Sequence, residues 1–586
     1  MSQDFEKTLV LVDDLLVTDK VRFAVIKGGS SVTFQNYSAL GGGPFLNQLI
    51  YNITLPSLET VMSRHVIQTG TLTFLIAGTS VAVNAAIPGS GYLFNYGALD
   101  GFGPFPMSQL FESQTITINN CTVSQQTKSI LSILLRIHDK RTLSRYNGLT
   151  PTQYDTLAKY TKIAGSNQNP FASFLNNSYD NDLLARGSYP ITLTNVAGTN
   201  FNAAGGATQV RVSIRVSEPI LVSPFVWSEI EGEAGIYGVQ SMNLVFNMSS
   251  GQLGSVVRFG GLRTRFAAGA LPVVTFEGVS EPFIRLQYIT PHASTELPSR
   301  NVVSFYALDR YISSNLPPFP IDGRATVTSA SIQLAQIPDK LMITVGRPTG
   351  SRRGDEADSW LTINSVNIQF NNTAGILSSA STESLWRMSV EAGSNQNWLE
   401  YSGKAQGPDV ISDLGVSSVE TCGSVLMLDF AKHIQISQEW FAPGSLGQFN
   451  LLITLECTNN TGIDYTLVGQ NDLQLLTVVM NSGVMSTQRG VSSVYTAVLA
   501  KADVVEVSRE KPMGYSDALR SVGAGRVGDF LKRNLSSLGQ AALKHAGPLL
   551  LDMAKKKLGM GESGGAASGG KKGRRSDMGN LEDRMY

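Results

Sequence analysis

The chain has 586 residues, of which 42% are hydrophobic and only 16% are charged, whereas an average globular protein has about 25% charged residues. This much apolar material excludes a disordered chain, and the length predicts more than one domain. Residues 511–586 contain 14 Lys or Arg and 7 Asp or Glu, so a tail of net charge +7 follows a body of net charge −7 in a chain that is neutral overall.

Residues 1–20 are predicted to form an N-terminal arm. Acidic residues flank its short apolar run, and the basic start of a signal peptide is missing. The three cysteines, Cys121, Cys422 and Cys457, are too few for a disulfide framework. We therefore expect synthesis in a reducing compartment, with Cys422 and Cys457 buried as small apolar side chains.

The next block, residues 21–282, reads mainly as short strands. Alternation of apolar and polar residues, which is the pattern of a half-buried strand, recurs between turn residues. These runs lie at residues 21–26, 31–39, 65–77, 114–119, 189–194, 209–216, 238–248, 255–259 and 271–276. Two segments have helical spacing instead, and we predict helices at residues 127–137 and 149–160.

Residues 275–311 form the predicted seam between two β-rich blocks. A strand-like run lies at each end, and a connection rich in Pro, Ser and Thr, at residues 290–299, lies between them. The second block covers residues 283–505. Its strand-like runs lie at residues 302–312, 325–334, 341–345, 360–370, 424–430, 449–457, 473–480 and 495–500, with a predicted helix at 383–392.

About eight short strands in each block, with little helix, predict an all-β protein in which each block is a two-sheet sandwich or a jelly roll, followed by a short helical, basic C-terminal tail at residues 506–586. The blocks share no residue-level repeat, so any duplication is one of architecture. The side chains expected to fill the cores are Phe34, Ile53, Phe225, Phe246, Trp360, Ile368, Leu428 and Leu452.

Seven segments, taken in order, carry a resemblance to a known family. They lie at residues 25–34, 52–64, 105–137, 217–248, 330–348, 357–381 and 423–434. In type and order they resemble the double jelly-roll major capsid proteins of eukaryotic DNA viruses, in particular the group of Polinton-like viruses, adintoviruses and virophages. The resemblance covers residues 20–505 and implies two consecutive eight-stranded jelly rolls.

The resemblance implies a structural protein and not an enzyme. In this family, self-assembly gives pseudo-hexagonal homotrimers that tile an icosahedral capsid, with both jelly rolls upright. The implied partners are the chain itself, neighbouring trimers, and penton and minor capsid proteins. The implied location is the virion, after assembly in the host cytoplasm or nucleus.

The C-terminal tail differs from the body in kind. Apolar residues at three- and four-residue spacing from Val527 predict an amphipathic helix, and a Gly/Ser-rich linker then leads to a basic cluster of Lys571, Lys572, Arg574 and Arg575. Three interpretations remain open: a helix docked on the body with a solvated end, an interior-facing attachment to a minor capsid protein or an inner membrane, and contact with packaged nucleic acid or nuclear import.

Chemistry-bearing motifs are scarce. Arg353, Gly354 and Asp355 spell a receptor-binding tripeptide, a weak candidate expected in an exposed charged loop. The five histidines lack metal-ligand spacing, and the known nucleophile, phosphate-binding and dinucleotide-binding motifs are missing, so we expect no catalytic residue, cofactor or metal. The alternative function is a carbohydrate-binding or carbohydrate-active β-sandwich, which requires an aromatic-rimmed groove or a pair of carboxylates.

Overall fold

The computed structural model describes much of the compact unit Met1–Glu510. The described residues are 31–78, 91–97, 99–160, 189–196, 209–225, 235–249, 253, 256–260, 266, 272–291, 297–371, 373–408, 416–436, 443–467 and 471–496. The predicted arm at 1–20, the strand at 21–26 and the tail at 506–586 lie outside this range. Among the described residues, no helix is long and apolar enough to cross a lipid bilayer.

The first half of the described chain forms twelve strands and three short helices. The strands are β1 (Ser31–Ser38), β2 (Gln48–Thr54), β3 (Val61–Met62), β4 (Ile67–Ala77), β5 (Gly101–Phe102), β6 (Phe111–Ile118), β7 (Cys121–Gln125), β8 (Ile191–Asn195), β9 (Gln209–Pro219), β10 (Ser241–Met248), β11 (Val257–Arg258) and β12 (Val273–Thr290). The helices are α1 (Pro106–Leu110), α2 (Thr127–Leu134) and α3 (Lys140–Ser144).

The second half of the described chain repeats this style with twelve further strands. They are β13 (Asn301–Ser313), β14 (Arg324–Thr328), β15 (Ile332–Gln336), β16 (Lys340–Gly346), β17 (Thr362–Phe370), β18 (Thr373–Ile376), β19 (Lys404–Pro408), β20 (Val416–Glu420), β21 (Leu426–Asp429), β22 (Leu446–Thr458), β23 (Gln474–Gln488) and β24 (Val491–Tyr495). The helices are α4 (Thr382–Glu391) and α5 (Trp398–Tyr401), with a 3₁₀ turn at Thr349–Ser351.

Each half forms a sandwich of two antiparallel sheets. In the first, the sheet β1-β12-β4-β9-β8 faces the sheet β2-β10-β6-β7. In the second, β13-β23-β16-β21 faces β14-β22-β17-β18, and β15 also pairs with β22. Numbered one to eight along the chain, with β14 and β15 counted together, the main strands follow the orders 1-8-3-6 and 2-7-4-5 in both sandwiches. This shared order is that of a jelly roll, so the predicted fold class is confirmed.

The cores follow the two-residue period of the strands. Of the predicted core side chains, Ile53, Phe225, Phe246, Trp360, Ile368 and Leu428 are buried. The prediction is wrong for Phe34, which is 64% exposed on the outer face of β1, and for Leu452, which lies on the outer face of β22 between buried neighbours. Both residues lie in alternating runs, but alternation alone does not say which of the two faces is covered.

The predicted helices have different outcomes. Helix α2 lies within the predicted 127–137 segment, and α4 matches the predicted 383–392, with the Ser381 hydroxyl accepting a hydrogen bond from the amide of Ser384 at its start. The helix predicted at 149–160 is wrong. Its backbone bonds to other elements, for example through an isolated bridge between Leu157 and Thr421, so these amides and carbonyls are not available for helical turns.

The seam between the sandwiches lies between β12 and β13. All of β12 pairs in the first sandwich, and its last part, Phe283 to Thr290, is in register with β1. The predicted start of the second jelly roll at 283 therefore falls inside a strand of the first. Strand β13 pairs along its whole length with β23 of the second sandwich.

Candidate functional site: the junction between the two sandwiches

Helix α2 follows β7 of the first sandwich but packs against the second. Ile130, Ile133 and Leu134 form one buried cluster with side chains from β16, β21 and β23. Those strands contribute Met342, Met427, Leu476 and Val478, which project from the outer face of the sheet β13-β23-β16-β21. The outer face of this sheet is thus covered by a helix inserted between the fifth and sixth strands of the other jelly roll.

The sequence of α2 is apolar on two sides, which explains its position. While Ile130 and Ile133 contact the second sandwich, Leu131 and Leu135 pack with Phe105 and Leu221 of the first sandwich. Because its apolar side chains face two neighbours, the helix buries them fully only when both sandwiches are in place. The segment therefore serves as a shared wall of the two sandwiches.

Arg136 lies two positions after the last residue of α2 and is completely buried. Its Nη1 donates a hydrogen bond to Asp358 Oδ2 of the second sandwich at 2.7 Å, and its Nη2 donates to the backbone oxygen of Asp155 at 2.6 Å. The guanidinium lies over the rings of Trp360, at 4.4 Å, and Tyr154, at 4.7 Å. Planar stacking combined with directed hydrogen bonds is the contact that suits arginine and not lysine.

Asp358 is the acceptor on which this junction converges. Besides Arg136, its Oδ1 accepts hydrogen bonds from Arg352 at 2.5 Å and from the Ser132 hydroxyl at 2.8 Å. Burial by itself raises the pKa of Asp358, but the nearby arginines outweigh burial and hold the pKa well below its usual range. The carboxylate is therefore ionised at every physiological pH.

Three further ion pairs extend the network. Arg258 of the first sandwich pairs with Asp155 at 3.1 Å and also donates to the backbone oxygen of Glu356. In the second sandwich, Arg347 bridges Glu356 at 2.6 Å and Asp472 at 2.7 Å. Charges from both sandwiches are thus satisfied only in one relative orientation, because each cation has its hydrogen-bond partners at fixed distances.

The two sandwiches also exchange backbone and side-chain hydrogen bonds elsewhere. The amide of Ala158 donates to the carbonyl of Glu420, and the amide of Cys422 donates to that of Thr156. At a second place, the Asn119 side chain donates to the Ser492 hydroxyl at 2.8 Å. The junction is therefore extended, and the two jelly rolls form one body.

A small polar cavity lies beside the junction, with a volume of about 20 Å³. Its lining includes Ser129, Ser132, Thr344, Arg347 and Arg352. A cavity of this size has room for about one water molecule. It is too small for a sugar ring or a nucleotide.

The tripeptide Arg353, Gly354 and Asp355 does not form the exposed loop that the sequence predicts. The Gly354 carbonyl accepts a hydrogen bond from the amide of Phe259, and the Asp355 carbonyl accepts one from Tyr160, each at 2.9 Å. The Arg353 and Asp355 side chains lie 3.5 Å apart and are half-buried. The exposed-loop prediction is wrong because the segment is bonded to the first sandwich, and receptor binding stays a prediction.

Other sequence-derived candidates have separate outcomes. The basic cluster Lys571, Lys572, Arg574 and Arg575 lies outside the described residues, and its role stays a prediction. Within the described residues, no group of three or more His, Cys, Asp or Glu side chains is placed to hold a metal ion. The carboxylates that gather at the junction are buried against arginines, which does not favour the carbohydrate-active alternative.

The arginine network is not evident from the sequence. The charged run at residues 351–358 contains three of its members, but it reads as a surface loop because isolated charges are rarely buried. Arg136 and Asp358 are 222 positions apart, so no local spacing connects them. One usable signal in the sequence is Arg136 itself, a lone charge that directly follows the apolar residues Leu134 and Leu135.

In comparison with known proteins, a separate family model matches each of the two sandwiches. The family model described as Sputnik virophage major capsid protein 1st domain matches residues 3–280, and the model for the major capsid protein V20 C-terminal domain matches residues 308–483. The capsid protein V20 of Sputnik virophage is 25% identical over 581 residues, a match that covers 94% of this chain and 93% of the relative.

Solved structures with the same fold include a chain of the Sputnik virophage and the mavirus major capsid protein. The Sputnik virophage structure determined by cryo-EM superposes with a TM-score of 0.73 at 22% identity, covering 87% of this chain and 97% of the other. The crystal structure of the mavirus major capsid protein gives a TM-score of 0.66 at 14% identity, covering 86% and 96%. At these identities, the superpositions show a common fold.

Proposed function

Because this chain belongs to the double jelly-roll major capsid proteins of the virophage group, we propose that three copies associate into a pseudo-hexagonal tile and that these tiles build an icosahedral shell. The chain is a viral major capsid protein and a component of the virion. Its role is structural and depends on the surface that is buried between copies.

One observation carries the proposal. The two sandwiches share the same strand order, and buried ion pairs and helix α2 hold them together as one body. Three such bodies around a threefold axis present six similar units, so an exact trimer has an approximately hexagonal outline. A single sandwich, or two sandwiches on a flexible linker, would not fix this outline.

Partners follow from the same arrangement. The first partner is the chain itself, within a trimer and between neighbouring trimers. Penton and minor capsid proteins, and packaged nucleic acid or an inner membrane reached through the tail, stay predictions. The same holds for assembly in the host cytoplasm or nucleus.

Sedimentation of the purified full-length chain tests the trimer. With a chain mass of 63.0 kDa, a trimer has about three times that mass. We expect this species, with a hexagonal outline in negative-stain images. A chain that remains monomeric at high concentration would contradict the proposal, and binding to a panel of glycans would then test the carbohydrate alternative.

A further inference from the structure

The junction inside the chain provides a pattern for a contact between chains. In the junction, the insert between the fifth and sixth strands of the first jelly roll covers the outer face of the 1-8-3-6 sheet of the second. Both jelly rolls have such a sheet and such an insert. One insert and one sheet are joined within the chain, and Ala392 and Asn395 of the second insert also lie at that junction. This leaves the rest of the second insert and the sheet of the first jelly roll.

The outer face of the sheet β1-β12-β4-β9 in the first sandwich has exposed apolar side chains. Val32 is 52% exposed and Phe34 is 64% exposed on β1, and Phe283 and Ile289 are half-buried on the neighbouring β12. The register places Val32 directly opposite Ile289, so these side chains share one face of the sheet. We call Val32, Phe34, Phe283 and Ile289 the sheet patch.

One residue of this patch, Phe283, corresponds in position to the surface under α2. In the second sandwich, Lys340, the first residue of β16, pairs with Met480 of β23. Helix α2 covers the segment of β23 between Leu476 and Met480. In the first sandwich, the first residue of β4 pairs with Arg285, and Phe283 lies two positions away from it. Phe283 and Arg285 therefore hold the places in their sheet that Val478 and Met480 hold beneath the helix.

The second jelly roll has its insert, α4 and α5, between its fifth strand β18 and its sixth strand β21. Helix α4 packs on its own sandwich through Leu385. Helix α5 leaves Trp398 37% exposed and Leu399 53% exposed, and Trp386 lies edge-on to Trp398 with ring centroids 5.8 Å apart. We call Trp386, Trp398 and Leu399 the insert patch.

We propose that the insert patch of one copy docks on the sheet patch of a second copy, so that the contact between chains repeats the contact within the chain. This inference rests on the proposed trimer and names its surfaces. The Arg285 guanidinium, which lies 6.0 Å from the Phe283 ring, adds a cation for the exposed indole. Adjacent exposed apolar side chains are a usual mark of an interaction surface.

The geometry of this contact is head-to-tail. The two patches lie on different sandwiches, so each copy offers one patch to each of two neighbours. A head-to-tail contact produces a ring when its rotation closes. With three copies, internal junctions and docked patches alternate around the ring, and all six sandwiches have equivalent neighbours.

A photo-crosslinking experiment on the full-length chain tests the pairing. A benzophenone amino acid replaces Leu399, and a control protein carries it at Leu467, which is exposed to a similar extent in the second sandwich. After irradiation of the trimer, we expect crosslinks between chains from position 399 to peptides containing β1 or the end of β12. Position 467 should not react with those peptides.

Charge substitution gives an independent measurement. Leu399→Asp and Phe34→Asp should each raise the concentration for half-dissociation of the trimer by at least about thirtyfold, because each places a charge in a buried contact. Leu446→Asp, at a similarly exposed position on β22, should change it little. Circular dichroism and the melting temperature of the monomer confirm that each variant folds, since these side chains are exposed within the chain.

The outcomes separate the two proposals. A stable trimer that tolerates both substitutions and forms crosslinks elsewhere overturns the docking contact and leaves the trimer in place. Crosslinks from position 399 to a co-purified protein of another sequence also overturn it. A chain that never forms trimers overturns both proposals.

Discussion

At the scale of single residues, the junction relies on charges that would be costly to bury alone. Arg136, Asp155, Arg258 and Asp358 are all almost completely buried, and each has an ionic partner across or beside the seam. A buried ion pair contributes little net stability compared with an apolar pair, but losing one partner is expensive. We infer that the network mainly selects one relative orientation of the sandwiches.

Asp358→Asn tests this role. The substitution keeps the shape of the side chain but leaves Arg136 and Arg352 buried without their shared counter-charge. We expect a loss of about 3–5 kcal/mol in the free energy of unfolding, measured by chemical denaturation of the monomer. The control is Glu383→Gln, which breaks an exposed ion pair with Arg387 on α4 and should cost no more than about 0.5 kcal/mol. Equal effects of the two substitutions would contradict the inferred role.

Glu218 gives the protein a pH-dependent component of stability. Its fully buried carboxylate accepts hydrogen bonds at 2.8 Å from the amides of Met107 and Ser108 in α1. Burial raises the pKa of Glu218 from 4.5 to about 7, although the hydrogen bonds from Ser108 and Met107 oppose this shift. The folded protein binds a proton at Glu218 more tightly than the unfolded chain does. The resulting gain in the free energy of unfolding is therefore complete below pH 4.5 and is lost as the pH rises through about 7.

The comparison with Glu218→Gln isolates this component. The variant lacks the titrating group, so the difference in unfolding free energy between wild type and variant should fall by roughly 3 kcal/mol as the pH rises from 4.5 to about 7. Melting temperatures of both proteins across this interval provide the measurement. A difference that stays constant with pH would show that Glu218 titrates as it does in the unfolded chain.

At the scale of elements, α2 is the piece whose loss would separate the two halves. It is eight residues long and contributes apolar side chains to clusters on two sides. A helix this short has little stability of its own, so packing on both sandwiches must maintain it. Its start was predictable from the change in apolar spacing, although the helix ends at Leu134 and not at residue 137. Its packing against the other sandwich was not predictable, because spacing does not identify a partner.

Ile133→Ala should weaken the junction specifically. Removing buried methyl groups from a well-packed site costs about 2–4 kcal/mol. Because Ile133 packs against the second sandwich, we expect calorimetry to resolve two unfolding transitions where the wild type shows one. Leu131→Ala is the matched control, since Leu131 faces the first sandwich and its loss should lower the melting temperature without separating the halves. A single transition in both variants would argue against α2 as the joining element.

At the scale of the molecule, strand alternation and spacing predicted the all-β class and two β-rich blocks, and the family resemblance predicted that both blocks are jelly rolls. Prediction from the local sequence pattern was wrong in two places. It placed a helix at 149–160, where the backbone bonds to distant strands, and it assigned Phe34 to the core, although β1 turns that ring outward. Both errors concern which partner covers a segment. That information lies in contacts between residues far apart in sequence, and so do the ion pairs of the junction.

The internal junction has a consequence for the thermodynamics of assembly. Of the six sandwich-to-sandwich contacts in the proposed ring, half form during the folding of a chain, where the tether supplies an effectively high local concentration. Only the other half require separate molecules to lose translational and rotational entropy, at a cost of at least about 4 kcal/mol for each association. Fusing two jelly rolls in one polypeptide thus reduces the number of bodies that must meet from six to three, and the tile can form from a more dilute pool of subunits.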